Sequence, residues 1–311
     1  MNLDAAAAYA EKHGLHALIV SHGGKTVLER YAPGYDRPKP HALYSGTKSF
    51  WGVLAVAAED DGLLDLDELV ARTVPEWQND PRKSRVTLRH LLQLTSGIGF
   101  GGLGSAVPTF AKALATPVEV EPGTKFTYGG IPLQVFGAVL QRKLHRRSPS
   151  PHAYLQERIL DPIGLKIASW RKLPDGTQPL PTGAFVAAGE WLKFGRLIAA
   201  GGVWKEKIVV RRSPLERCFE GSTANPRYGL CFWLSPLASH PDVVYASGSG
   251  GQALYISPSE NLVVVKFGDS RSYKHDAFLR ALFGLTPAGV AAKRRRGPRR
   301  RNAVAPSRGK P

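Results

Sequence analysis

The sequence predicts an α/β protein of the α+β type, in which helices flank an antiparallel sheet and a mostly helical region is inserted into it. Short β-branched and aromatic runs lie near both ends of the chain, which is typical of strands. Between them, apolar residues recur at helical spacing, and glycines close the segments. At 311 residues the chain is long enough to bury a large core.

The strands are predicted to form one discontinuous sheet domain, made of residues 1–64 and 216–285. At the N-terminal end, "HALIVSHGGKTVLERYAPGYD" predicts two strands joined by a turn at Gly23–Gly24. Near the other end, "YGLCFWLSP", "DVVYASGS", "QALYISP" and "NLVVVKFGD" predict an antiparallel meander, and "SYKHDAFLRALFGL" predicts a last helix. Because strands from both chain ends must share one sheet, the chain between them is an insertion.

Helical patterns dominate the predicted insertion, residues 65–215. Before it, Tyr44–Leu64 predicts a helix with apolar residues at helical spacing and a stop near Gly62. Four further helices are predicted within "VTLRHLLQLTSGI", "PLQVFGAVLQRKLHRR", "SPHAYLQERILDPIGL" and "GEWLKFGRLIAAGG". Clefts between two such parts of a protein are common ligand sites.

The formal net charge of +17 is concentrated at the C-terminal end. Residues 291–311 carry nine basic and no acidic side chains, which leaves +8 for the other 290 residues. Such composition cannot form a packed core, so 286–311 is predicted to be a disordered basic tail. A tail of this kind can contact nucleic acid or anionic surfaces nonspecifically, or simply raise solubility.

Composition points to a soluble protein, with 43% hydrophobic and 22% charged residues. There is no apolar run of about 20 residues and no basic segment before an N-terminal apolar stretch, so we expect no membrane contact and a cytoplasmic location. Cys218 and Cys231 fit no metal spacing, and the histidines are scattered, so no catalytic metal is expected. "GFGGLG", at 99–104, matches a dinucleotide fingerprint but lacks the β-α-β context, which indicates a flexible loop.

The pair Ser45 and Lys48 is the first candidate for chemistry. Residues three apart on a helix share a face, so the amine can lie beside the hydroxyl. A neutral lysine can take the proton of a serine, and both burial and the positive end of a helix dipole lower a lysine pKa. The Ser45 amide, free at the helix start, can stabilise an oxyanion. The alternative is a serine cap beside a solvated lysine.

Two later segments supply further candidates. In "EPGTKFTYGG", Tyr128 follows a Pro-Gly turn and precedes a helix, where its phenol can act as a general acid or base, or simply pack in the interior. In "ASGSGGQALYIS", the amide of Ser249 can complete an oxyanion hole with that of Ser45, although a plain β-turn also fits this segment.

Taken in order, these segments resemble the serine β-lactamase and penicillin-binding-protein superfamily. Within it the chain is most similar to the class C β-lactamase, family VIII esterase and 6-aminohexanoate-dimer hydrolase branch. Beyond the catalytic segments, the resemblance includes "TLRHLLQLTSGI", "WLKFGRLIAAGGVW" and "ISPSENLVVVKFGD", and it spans roughly residues 15–270. The resemblance implies a β-lactamase/transpeptidase-like fold with an antiparallel sheet beside a helical region.

The resemblance also implies the roles of the candidate residues. Ser45 would be the nucleophile, Lys48 its base and Tyr128 a proton relay, with an acyl-enzyme at Ser45 and no cofactor. Two departures stand out. The family's Tyr-x-Asn is here Tyr128-Gly129-Gly130, and the Lys or His of its third motif is absent from "YASGSGG". An ester or small-amide substrate fits these departures better than a β-lactam does.

The first hypothesis is therefore a serine hydrolase that cleaves a small ester or amide. The second is a non-catalytic or weakly active binding protein on the same fold, and the third is a nucleic-acid-associated protein acting through its tail. The substrate is left open, because the sequence does not show which way the candidate pocket side chains point; these are Phe100, Trp170, Phe185 and Trp233. The oligomeric state is left open as well.

Overall fold

A computed structural model of the chain describes residues 1–145 and 147–286. Its centre is an antiparallel sheet that contains strands from both ends of the chain, as predicted. In the described residues this sheet has six strands, in the order β2-β1-β11-β10-β9-β8. The bounds of these strands are β1 Leu15–His22, β2 Lys25–Tyr31, β8 Trp233–Leu234, β9 Val244–Gly248, β10 Gln252–Ser257 and β11 Leu262–Gly268.

The central strands come together because their side chains are apolar on both faces. Ile19 of β1 lies opposite Val265 of β11, and Val265 lies opposite Leu254 of β10. The predicted turn at Gly23–Gly24 is confirmed, since β1 and β2 end and begin on either side of it. The predicted strand in "YGLCFWLSP" is confined to β8.

Helices cover both faces of this sheet. The helices are α1 Leu3–Lys12, α2 Lys48–Asp60, α3 Leu88–Leu92, α4 Phe110–Ala115, α5 Ile131–Leu144, α6 Pro151–Leu155, α7 Ala188–Ala199, α8 Arg212–Glu216 and α9 His275–Leu282. Leu18 and Val20 of β1 face a core shared with α1 and α9. Ala17 and Ile19, which alternate with them, face the larger core that contains α2 and α7.

Two predicted helices are shorter or less regular than their patterns indicated. In "VTLRHLLQLTSGI" the helix ends at Leu92, because Leu94 and Gly97 adopt left-handed φ angles of 58° and 80°. The helix in "SPHAYLQERILDPIGL" changes from α to π geometry at Gln156.

Helix α7 packs on the central sheet, against β1, β10 and β11. In sequence it falls within the predicted helical region, residues 65–215. The contact is close because Gly195 lies directly over Leu254 and Val263. The same region also contains short strands, β4 Ser169–Trp170, β5 Ala184–Ala187, β6 Val203–Trp204 and β7 Lys207–Ile208; β4 and β5 join β3, Pro40–Ala42, in a small sheet.

Strand β9 brings the sheet next to the start of α2. Its neighbour β8 pairs only with Val244 and Tyr245, so the remainder of β9 faces the 3₁₀ turn Tyr44–Thr47. Gly248 permits this approach, since a Cβ there would overlap the carbonyl oxygen of Leu43. The candidate segments of the sequence therefore meet at this edge.

Helix α2 is held against the segment 230–233 by a second close approach, at Gly52. A Cβ on Gly52 would overlap the Leu230 carbonyl oxygen, whereas one on Gly189 of α7 would meet no atom within 4 Å. We expect Gly52→Ala to lower the free energy of unfolding by about 2 kcal/mol, because overpacking exceeds the gain in helix propensity. Gly189→Ala is the matched control and should be neutral or stabilising by up to about 1 kcal/mol. Urea unfolding of both variants measures this, and equal stability would contradict the tight contact at Gly52.

The predicted basic tail falls almost entirely outside the described residues, which end at Thr286. None of the helices in the described residues is both long and apolar enough to cross a membrane.

Candidate active site

Ser45 and Lys48 lie side by side, as their spacing predicts. Ser45 is in the 3₁₀ turn that precedes α2, and Lys48 is the first residue of the α-helix. The Lys48 Nζ is 3.0 Å from the Ser45 Oγ. Ser45 does not cap the helix with its side chain, so its hydroxyl is free to react. Tyr44 before it has a φ of 46°, an uncommon angle for a tyrosine, which gives Ser45 a sharply turned backbone.

The Lys48 side chain is buried rather than solvated, with only 1% of its surface exposed. Its Nζ donates a hydrogen bond to the Pro181 carbonyl oxygen at 3.2 Å. Among the described residues, no Asp or Glu pairs with it. Burial lowers the pKa of Lys48 to about 8, and neighbouring Cys231 acts in the opposite direction. The shift raises the neutral fraction of the amine at pH 7 a few hundredfold, to roughly a tenth.

Tyr128 reaches the same place from the loop before α5. Its ring lies 4.9 Å from the Lys48 Nζ, measured to the ring centroid, and stacks on Trp233 at 5.7 Å. Burial raises the pKa of Tyr128 to about 12, although the adjacent Ser45 hydroxyl acts in the opposite direction. The phenol is thus protonated at neutral pH and can donate a proton.

Glycines explain why the loop reads Tyr128-Gly129-Gly130. Gly101 and Gly129 form a parallel bridge, and the Gly130 amide donates to the Gly101 carbonyl oxygen at 2.9 Å. A Cβ on Gly130 would overlap the Gly102 carbonyl oxygen, so an asparagine does not fit here without rearrangement. The "GFGGLG" segment, predicted as a flexible loop, is therefore the support on which the Tyr128 loop rests.

A cavity of about 470 Å³ opens beside these residues. Its lining consists of Ser45, Tyr128, Trp233, Tyr245, Ser247, Gly248, Ser249 and His275. Within the described ranges, the amides of Ser45 and Ser249 donate to no backbone carbonyl. The two amides predicted as oxyanion donors thus belong to residues that line this cavity.

The structure adds polar groups that the sequence motifs did not reveal. Ser247 Oγ is 2.8 Å from the His275 Nε2, and both line the cavity. His275 begins α9, 230 residues after Ser45, and no local pattern connects the two. Pro181, the acceptor for Lys48, is 133 residues further along the chain and belongs to none of the motifs. The available signal was the polar pair Lys274-His275 at the start of an amphipathic helix.

The four aromatic residues that the sequence suggested as pocket candidates do not line one common cavity. Trp233 lines the cavity beside Ser45, and Phe185 lines a separate cavity of about 430 Å³ that also touches Ser249. Trp170 packs against Trp51 in the core. Phe100 is 76% exposed. No cluster of three or more His, Cys, Asp or Glu residues suited to a metal occurs in residues 1–145 and 147–286.

Residues 7–283 match the Beta-lactamase family, and the chain therefore belongs to that family. This is the serine β-lactamase and penicillin-binding-protein class, to which the order Ser45, Lys48, Tyr128 pointed.

Among solved structures, the fold is similar to several members of this class. A provisionally assigned β-lactamase from Bacteroides dorei DSM 17855 gives a TM-score of 0.75 at 17% identity, over 90% of this chain and 96% of that one. EstCE1, a hydrolase with promiscuous acyltransferase activity, gives 0.70 at 17%, over 90% and 97%. A family VIII carboxylesterase gives 0.71 at 18%, over 91% and 95%. These likenesses confirm the predicted β-lactamase/transpeptidase-like fold.

A curated relative is also similar over part of its length. Monacolin J acid methylbutanoyltransferase of Aspergillus terreus is 30% identical over 155 residues. The match includes 40% of this chain and 37% of the relative, so the chain spans less than half of that protein.

Proposed function

We propose that the protein is a serine hydrolase that cleaves a small ester or amide through an acyl-enzyme at Ser45. The observation that carries the proposal is the contact of 3.0 Å between the Ser45 hydroxyl and the buried Lys48 amine. A lysine solely needed for structure would normally keep its charge in water or beside a carboxylate. Here it lies beside a hydroxyl on the wall of a cavity.

In the first half of the reaction, Ser45 Oγ attacks the substrate carbonyl carbon while the neutral Lys48 Nζ takes the hydroxyl proton. The negative charge that develops on the carbonyl oxygen is stabilised by the amides of Ser45 and Ser249. Tyr128 passes a proton to the leaving alcohol or amine, which departs, and the acyl group remains on Ser45. Lys48 restores the proton of Tyr128.

In the second half, water enters the cavity and attacks the acyl carbon. The Tyr128–Lys48 pair accepts the proton of that water and returns one to Ser45 Oγ as the acyl-enzyme bond breaks. The cavity of about 470 Å³ suits a small substrate. Its aromatic wall, formed by Trp233 and Tyr245, favours an apolar group.

Hydrolysis of 4-nitrophenyl butyrate, followed by intact mass after acid quenching, tests this function. We expect turnover and a butyryl adduct on Ser45, formed in a rapid first phase. Absence of both the adduct and turnover over a broad panel of esters and amides would instead support the non-catalytic binding protein.

The proton-relay role of Tyr128 has a separate test, the dependence on the leaving group. Nitrophenolate leaves without a proton, whereas an alkoxide or amine needs one. We therefore expect Tyr128→Phe to slow kcat/KM for propyl butyrate by about 100-fold and for 4-nitrophenyl butyrate by much less. Equal losses on both esters would contradict a role for Tyr128 in protonating the leaving group.

Acyl transfer to an alcohol is the second candidate function, favoured by the similarity to the Aspergillus terreus methylbutanoyltransferase. The same acyl-enzyme would form, and an alcohol would replace water in the second half. Product analysis with a primary alcohol present distinguishes the two, because a transferase yields more new ester than acid.

A further inference from the structure

One wall of the catalytic cavity is backed by a chain of hydrogen bonds that the proposed reaction does not use. The Ser247 hydroxyl lies 2.8 Å from His275 Nε2, and His275 Nδ1 lies 2.6 Å from the Tyr255 hydroxyl. The Tyr255 hydroxyl in turn lies 2.9 Å from that of Tyr273. Tyr255 and Tyr273 are buried, 2% and 7% exposed, while Ser247 and His275 border the cavity.

The direction of this chain follows from counting its hydrogens. Among the described residues, the Tyr273 hydroxyl contacts one hydrogen-bond partner, Tyr255. A buried hydroxyl hydrogen without an acceptor is costly, so Tyr273 donates to Tyr255. Tyr255 has then only its own hydrogen left, and it donates to His275 Nδ1.

The protonation of the His275 ring sets the direction of the last hydrogen bond in this chain. Burial lowers the pKa of His275 to about 4, so the ring is neutral and carries one hydrogen. Because Nδ1 accepts from Tyr255, that hydrogen is on Nε2, which donates to Ser247 Oγ. The Ser247 hydroxyl hydrogen is consequently not used within the chain. It is free to point into the cavity beside Ser45 and Tyr128.

We propose that Ser247, oriented by His275 and Tyr255, selects substrates whose leaving group carries an uncharged hydrogen-bond acceptor, such as an amide or ketone carbonyl. This inference rests on the proposed function and specifies its substrate class. The leaving group is the part concerned because Tyr128, its proton donor, lines the same cavity. A carboxylate is disfavoured there, since neutral donors alone do not compensate its desolvation. His275 and Tyr255 are positioning residues, because they act through Ser247.

Three butyrate esters, of 1-propanol, N-methylglycolamide and glycolic acid, test the proposal. They share one acyl-enzyme, so differences in kcat/KM report the leaving group alone. Relative to the ratio of the esters in hydroxide-catalysed hydrolysis, we expect the enzyme to favour the amide ester over the propyl ester by a further factor of about five, and the glycolate ester to be the poorest. Ser247→Ala should lower the ratio of amide to propyl ester to that of the hydroxide reaction. His275→Ala should do the same, and His275→Gln, which retains an N–H, should restore part of it.

A preference for the glycolate ester, or an unchanged ratio in Ser247→Ala, would overturn the proposal. The affinity of Ser45→Ala for the three esters separates recognition from catalysis. Quenching of tryptophan fluorescence, to which Trp233 in the cavity wall contributes, measures this affinity. If the wild-type protein cleaves none of the esters, the proposed hydrolase function fails. The order of binding still decides whether Ser247 recognises a neutral acceptor.

Discussion

Ser45→Ala is expected to lower kcat for ester hydrolysis by at least about 10⁴-fold. Only the small residual rate that substrate binding and the oxyanion hole supply would remain. The reason is that the proposed mechanism has one covalent intermediate, and the alanine removes the atom that forms it. Ser247 and Ser249 line the same cavity, but neither hydroxyl lies beside a buried amine as that of Ser45 does. Turnover of 4-nitrophenyl butyrate, with the mass of the protein after reaction with a fluorophosphonate, measures the loss.

Ser49→Ala is the matched control for this variant. Ser49, the second residue of α2, follows Ser45 by four residues, is fully buried, and donates to the Gly46 carbonyl oxygen at 2.8 Å. Its loss should cost about 1 kcal/mol of stability and leave one fluorophosphonate label per chain. Undiminished turnover in Ser45→Ala, or a label that persists in it, would remove Ser45 as the nucleophile.

Lys48→Met is expected to lower kcat/KM by about 10⁴-fold while the protein stays folded. Methionine fills a similar buried volume but provides no base, and members of a catalytic unit act non-additively. Lys48→Arg should be comparably inactive, because a guanidinium keeps the charge but does not release its proton. Activity close to wild type in the arginine variant would contradict a role as base and favour a purely electrostatic one.

Although Lys48→Met is expected to lose activity, it should be more stable than the wild-type protein at neutral pH. The pKa of Lys48 is lower in the folded protein than in the unfolded chain, so below pH 8 folding buries a protonated amine at a cost. That cost is fully present below pH 8 and disappears as the pH rises above about 10. Allowing for the lost bond to Pro181, the variant should gain about 2 kcal/mol at pH 7 in urea unfolding. Equal or lower stability would indicate a well-solvated lysine in the native protein.

Periodicity and turn residues were sufficient to predict most of the fold. Short runs of β-branched and aromatic residues between turn residues predicted β1, β2, β9, β10 and β11. In β10 and β11 these runs are continuous because both faces of the strands are buried. The packing of α7 on the sheet was not predictable, since the amphipathic pattern of "GEWLKFGRLIAAGG" does not say which surface covers it. The shortness of α3 depends on left-handed backbone at Leu94, a residue type that gives no local signal.

In the candidate site, too, local contacts could be predicted from the sequence, whereas contacts that depend on tertiary packing could not. The contact between Ser45 and Lys48 follows from spacing within one helical turn, so sequence was enough to predict it. Tyr128 could be predicted as a candidate, but its approach to Lys48 depends on the tertiary packing of Gly101 against Gly129. His275 is brought in by the docking of α9 on the sheet, which no spacing in the chain encodes.

The pH dependence of kcat/KM tests the claim that a neutral Lys48 activates Ser45. Only the deprotonated amine accepts a proton, so kcat/KM for 4-nitrophenyl butyrate should rise with pH to a plateau, with an apparent pKa of about 8. No descending limb is expected before pH 11, because the pKa of Tyr128 is about 12. An apparent pKa near that of an ordinary histidine, or a rate still rising toward pH 10 as for a solvated lysine, would contradict the account.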